Sequence, residues 1–159
     1  MPVPQRPARI GFLLSQLGAH ASEVFAGELK PLGITPSEAG VLRILDRTAG
    51  ITQRELADRL GALQSRVVAL IDALEGKGLV LRTRSTTDRR RQQLDLTPAG
   101  RELLTALRAA SEAQEAAIAG VLSEQEKAVL YELLVALSAR QGLDADVHPG
   151  YRGTSGQAR

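Results

Sequence analysis

Arg82, Arg84, Arg89, Arg90 and Arg91 place five guanidinium groups within ten residues, with Asp88 the one carboxylate among them. A run of this kind, net +4, attracts polyanions. At the tip of a ribbon, such arginines suit the minor groove of a duplex, where narrow A·T tracts concentrate negative potential. Upstream, Gln64, Ser65, Arg66, Val68 and Ala69 stand in the leading half of a helical stretch. Gln pairs with adenine and Arg with guanine, while exposed Val68 and Ala69 suit thymine methyl groups. Thr52 and Gln53, which open the helix before it, join them as candidate duplex contacts.

Residues suited to covalent or acid–base chemistry are scarce. His20 and His148 are the only histidines, one inside a helical pattern and one near the end, so no histidine relay is evident. No phosphate loop or dinucleotide fingerprint occurs. Cysteine is absent, which excludes disulfides, thiolate metal sites and thiol nucleophiles. His20 and Glu23 lie one helical turn apart, but a zinc site needs three or four ligands. A protein without catalytic, metal or cofactor chemistry is expected.

The elements that must carry the arginines follow from capping and periodicity. Four helix starts are marked by a hydroxyl residue: Thr35-Pro36-Ser37-Glu38, Thr52-Gln53-Arg54-Glu55, Thr97-Pro98-Ala99-Gly100 and Ser123-Glu124-Gln125-Glu126. All but the third also supply a carboxylate three residues on. Gly33, Gly50, Gly61 and Gly78 separate the periodic stretches and act as stops. Apolar residues recur at helical spacing over 10–29 and 39–45, over 103–121 (Leu103, Leu107, Ala110, Gln114, Ala117, Val121), and from Val129 to Leu137. Leu79-Val80-Leu81 and Leu94-Asp95-Leu96 break the rhythm and read as two strands flanking the arginine run. Between residues 52 and 77, Ala57, Gly61 and Val67 have the small-turn-inward spacing by which two helices cross, with Leu56, Leu60, Leu70, Ile71 and Leu74 filling the shared core.

A chain of 159 residues that is 43% hydrophobic suits one compact unit. With only four aromatic residues and no Trp, its core must be Leu, Ala, Val and Ile, a mix that favours helices. Residues 54–91 hold nine basic and five acidic side chains, net +4 in a chain of net +2. The polyanion-facing charge is therefore concentrated in the middle. No apolar stretch is long enough to span a membrane, and residues 1–9 lack the apolar run of a signal peptide, so a cytoplasmic protein with no membrane partner is expected.

The order Leu56-Ala57-x-x-Leu60, Leu74-Glu75-x-x-Gly78-Leu79-Val80, Asp88-Arg89-Arg90 and Leu96-Thr97-Pro98-Ala99-Gly100 resembles the multiple-antibiotic-resistance regulator (MarR) family. So does Leu32-Gly33-Ile34-Thr35, and the likeness covers about residues 10–141. The resemblance implies a mainly α fold with a small β-ribbon wing, a winged helix-turn-helix. It implies a homodimer that binds double-stranded DNA at an inverted repeat, usually a repressor whose grip is weakened by a small apolar or aromatic effector. By the same likeness Asp88 braces the wing while Arg90, with Arg89, enters the minor groove. The expected organisation is a flexible start (1–9), a helical dimerisation region from both chain ends (10–34 and 99–142), a DNA-binding lobe (35–98) and a mobile tail (143–159). Phe12, Gln16 and His20 recur every four residues. In the family's layout that face points to an effector cavity, and otherwise it is dimer core or plain packing. Two positions depart from the family pattern: Leu63 replaces the usual helix cap, and Ala69 a frequent basic residue. The competing reading is a protein-interaction module on the same fold.

Overall fold

Thr35, Thr52 and Ser123 each accept a hydrogen bond from the backbone N–H three residues on, while Glu38, Glu55 and Glu126 accept the capping residue's own N–H. Every orphan donor satisfied in this way stabilises a helix start by about 1 kcal/mol. In the computed structural model of the chain, which describes residues 9–84 and 91–152, these boxes set three of the six α-helix starts. The order is α1 (Ile10–Leu29), a 3-10 turn (Lys30–Leu32), α2 (Pro36–Arg47), α3 (Gln53–Leu60), α4 (Gln64–Gly76), β1 (Val80–Arg84), β2 (Gln92–Leu96), α5 (Pro98–Ala119), α6 (Glu124–Arg140) and a second 3-10 turn (Pro149–Tyr151). The wing residues Asp88, Arg89 and Arg90 lie outside the described residues.

The helices begin where the capping residues place them. Helix α5 ends at Ala119, two residues before the apolar repeat does, and Val121 is 91% exposed. Its buried side is made by Leu104, Leu107, Ala110 and Ala119, with Leu103 packed at the edge. The strands extend beyond their apolar triplets through Arg82-Thr83-Arg84 and Gln92-Gln93, and pair antiparallel from Val80 opposite Leu96 to Arg84 opposite Gln92.

Helices α3 and α4 meet through Gly61, whose φ of 60° is the left-handed conformation that glycine adopts without a Cβ penalty. Leu56, Leu60, Val67, Ile71 and Leu74 fill the space between them, joined by Leu42 of α2 and Leu94 of β2, all at most 1% exposed. Leu70 packs on that core only in part. Strand β2 is held on its other side where the Leu94 N–H donates to the Ile51 carbonyl at 2.9 Å. At the far end of the ribbon, Thr97 donates its hydroxyl to the Gly78 carbonyl at 2.7 Å and caps α5. A side chain at Gly100 would overlap the Leu79 carbonyl, so this approach of α5 to the ribbon requires glycine.

Outside this lobe, the C-terminal half of α1 packs on α5, where the Gln114 side chain donates to the Ala21 carbonyl at 2.8 Å. Helix α6 contributes no buried residue at all. Among the described residues no helix is long and apolar enough to cross a membrane. Residues 144–152 correct one expectation. Assigned by composition to a mobile tail, they pack on the lobe, with Val147 7% and Tyr151 4% exposed. Two apolar side chains suffice to seat the segment because α2 offers a glycine, Gly40, directly beneath the Tyr151 hydroxyl.

Glu38 is the one buried charged residue of the core, 3% exposed. Both its oxygens accept from Lys77 Nζ, at 2.7 and 2.8 Å, and it also takes the Thr35 N–H. Burial alone would raise its pKa, but the Lys77 ammonium and the Thr35 donors outweigh burial and hold the carboxyl below the ordinary glutamate range. A depressed folded-state pKa contributes stability that is present above the unfolded value and lost as pH falls through the folded one. The wild type is therefore expected to lose stability as pH drops below about 4.3, and Glu38→Gln to be less stable at neutral pH by about 1–3 kcal/mol. Denaturant midpoints from pH 7 to pH 3 should converge for the two proteins; parallel curves would assign the acid sensitivity elsewhere.

Candidate nucleic-acid interface

Helix α4 buries Val67, Ile71 and Leu74, which leaves Gln64, Ser65, Ala69 and Asp72 exposed along its outer side and Val68 half-buried. The ribbon β1–β2 follows directly, so the outer face of α4 and the wing are set by one continuous stretch of chain. The first turn of α4 has no side-chain cap, because Leu63 has no acceptor to offer and lies 68% exposed.

Not every candidate contact points outward. Thr52 spends its hydroxyl on the capping box of α3. Gln53 follows it, its amide nitrogen buried and without a partner among the described residues. Arg66, paired with guanine in the sequence reading, is half-buried and donates from Nη1 to the Tyr151 carbonyl at 3.0 Å. It lies on the flank of α4, so its present role is to hold residues 144–152. Arg82 is also engaged: its guanidinium pairs with Asp72 and Glu75 of α4, and those hydrogen bonds and charges raise its basicity further. Arg91 donates to Glu55 of α3 at 2.6 Å. Only Arg84, at the end of β1, is exposed and has no ion-pair partner among the described residues.

The described wing is thus tied to the lobe by Arg82, Arg91 and the Thr83–Asp95 hydrogen bond of 2.5 Å. Sequence reading missed Asp72, Glu75 and Glu55 as the bracing acids. The three-residue spacing of Asp72 and Glu75, on the helix that feeds β1, was the available signal.

Phe12, Gln16 and His20 do not form the cavity expected of them. All three are exposed, in the part of α1 that projects beyond the lobe. A cavity of about 450 Å³ lies one to two turns further along, where Gly18, Ala21 and Phe25 of α1 face Arg43 of α2 and Gln114 of α5. The Arg43 guanidinium sits 5.5 Å from the centre of the Phe25 ring and donates to Ser111 at 2.5 Å. The correction follows from packing: only the C-terminal half of α1 meets both α5 and the lobe.

Two crossed helices, a turn at Gly61 and an antiparallel ribbon define a winged helix-turn-helix protein. Residues 34–91 match the MarR family. A putative transcriptional regulatory protein for the hcr operon of Thauera aromatica is 35% identical over 64% of this chain, which spans 61% of that protein's length. The HTH-type transcriptional regulator MhqR of Bacillus subtilis is 31% identical, over 69% of this chain and 77% of MhqR. Among solved structures, the repressor CouR bound to a 23-mer DNA duplex is 34% identical with a TM-score of 0.68, over 82% and 92% of the two chains. CouR from Rhodococcus jostii RHA1 bound to p-coumaroyl-CoA is 30% identical with a TM-score of 0.70, over 84% and 94%. The chain belongs to the MarR family and is a DNA-binding transcriptional regulator.

The bracing role of Arg82 has a measurable consequence. Arg82→Ala is expected to lower operator affinity by roughly tenfold through a loosened wing. Its salt slope should stay unchanged, since no phosphate contact is lost. A slope shallower by about 1 would instead make Arg82 a direct phosphate contact.

Proposed function

We propose that the protein is a homodimeric repressor that holds an inverted-repeat duplex and releases it when a small apolar or aromatic effector enters the 450 Å³ cavity. Residues 10–34 and 99–142 form the dimerisation region and residues 35–98 the DNA-binding lobe. In each lobe Gln64, Ser65, Val68 and Ala69 face base edges, while Arg84, Arg89 and Arg90 supply wing contacts, Arg90 in the minor groove and Asp88 bracing it. The observation that carries this reading is the exposed outer side of α4 beside a wing braced to the same lobe by Arg82 and Arg91.

The dimer is supported by α6, whose Val129, Leu130, Leu133, Leu134, Val135 and Leu137 are each more than 40% exposed. A helix that is apolar all round needs covering on all sides. The effector is supported by the position of the cavity between the dimerisation helices and the lobe, and by CouR, which was solved with an aromatic acyl-CoA.

Selection of bound duplexes from a random pool tests the proposal. Enrichment of an inverted repeat with half-sites about one helical turn apart is the expected result. A pool that stays random at low salt would overturn it and favour a protein-interaction role for the same fold.

A further inference from the structure

Beyond α6 the chain returns through residues 144–152 as a strap across the lobe. Asp146 pairs with Arg47 at the end of α2 and lies 3.7 Å from Arg59 of α3. Tyr151 is the strap's anchor. Its hydroxyl donates to the Ser37 carbonyl at 2.5 Å, above Gly40, where any Cβ would overlap it. Its own carbonyl accepts from Arg66, in the first turn of α4. Tyr151, Gly150 and His148 also wall the 450 Å³ cavity, together with Phe25, Arg43 and Gln114.

Chemically, the Tyr151 side chain is a para-alkylphenol already bound. The ring is buried, the hydroxyl donates to a main-chain carbonyl fixed in a helix, and a glycine leaves room for it. Burial pushes the phenol pKa up to about 12, so it stays a neutral donor. The strap's other ties are weak: Asp146 pairs with arginines at an exposed site, and such pairs hold little against water. Opening the strap is therefore a local event that leaves the rest of the core in place.

We infer that Tyr151 is the internal occupant of a subsite for para-substituted phenols, and that the strap it anchors is a latch on α4 which a hydroxyaryl ligand opens. The inference rests on the effector reading above and names its ligand class. A ligand shifts such an equilibrium only by binding the two states unequally. Here the difference is complete, because the subsite is filled when the strap is closed. Opening removes the tertiary hydrogen bond of Arg66 from a helix start that Leu63 leaves uncapped, and the first turn of α4 loosens.

The test uses the full chain and 4-methylphenol, the tyrosine side chain as a free molecule, with toluene as its hydroxyl-free control. By calorimetry, Tyr151→Ala is expected to bind 4-methylphenol at least tenfold more tightly than the wild type does, and in preference to toluene. Gly40→Ala approaches from the other side: its methyl group expels the Tyr151 hydroxyl and fills the subsite. That variant is expected to bind no 4-methylphenol and to show faster amide hydrogen exchange at residues 64–67. Wild type in excess 4-methylphenol should show the same faster exchange, together with residues 147–151. Equal 4-methylphenol binding by wild type and Tyr151→Ala would overturn the subsite, and unchanged exchange at 64–67 in Gly40→Ala would overturn the latch. If Tyr151→Ala fails to fold, the Gly40→Ala comparison decides alone. Neither readout involves DNA, so failure here leaves the repressor reading intact, and a chain that selects no duplex overturns that reading without touching the latch.

Discussion

Leu134→Asp in α6 is expected to convert the protein to a monomer and to lower operator affinity by about 10²–10⁴-fold, the advantage that linking two half-site contacts provides. The reasoning starts from exposure. Helix α6 buries nothing within its own chain, and Leu134 sits 42% exposed among five other large apolar side chains of that helix. The N-terminal half of α1 presents a second such surface in Phe12, Leu13, Leu14 and Leu17. An isolated 17-residue helix is marginal in water, so α6 needs a partner surface to be stable. A carboxylate at Leu134 would have to be desolvated in that interface without a partner, and association would be lost before the lobe unfolds. Light scattering gives the mass and operator titration the affinity. A Leu134→Asp dimer with wild-type affinity would place the subunit interface elsewhere.

The second large effect belongs to the wing. Arg89→Ala with Arg90→Ala is expected to weaken operator binding by about 10²-fold or more, each arginine carrying roughly 1–3 kcal/mol. Within the described residues Arg82 and Arg91 are held by acids, Arg66 by a carbonyl, and Ala69 adds no charge to α4. The cations left for the duplex are therefore concentrated between the strands, in Arg84, Arg89 and Arg90. If Arg90 enters the minor groove, Arg90→Ala loses most at sites with A·T-rich flanks. If Arg89 contacts phosphate, Arg89→Ala weakens all sites alike and flattens the salt slope by about 1. Titrations across a salt series, with and without A·T flanks, separate the two roles. Wild-type affinity in the double variant would remove the wing from the interface.

What was legible in the sequence is what depends on near neighbours. Thr35, Thr52, Thr97 and Ser123 mark helix starts because each cap is completed within three residues, and Gly61 marks the turn through its own backbone freedom. What was not legible depends on distant partners. Nothing in the arginine run tells that Arg91 will meet Glu55, 36 positions away, or that Arg66 will meet Tyr151, 85 away. Periodicity on α1 finds a face, but which part of it is covered depends on where α5 and the lobe lie. Hence Phe12, Gln16 and His20 were chosen and Gly18, Ala21 and Phe25 line the cavity. The strap was hidden by its composition of Asp, Gly and Pro. Its one local signal was His148-Pro149-Gly150-Tyr151, a capped turn with proline at its first position that ends on one of only four aromatic residues.

Sedimentation of the protein with its selected duplex tests the central claim, that two copies of this lobe read DNA together. The expected species contains two chains per duplex and disappears when one half-site is scrambled. A single chain per duplex that survives the scrambling would contradict it.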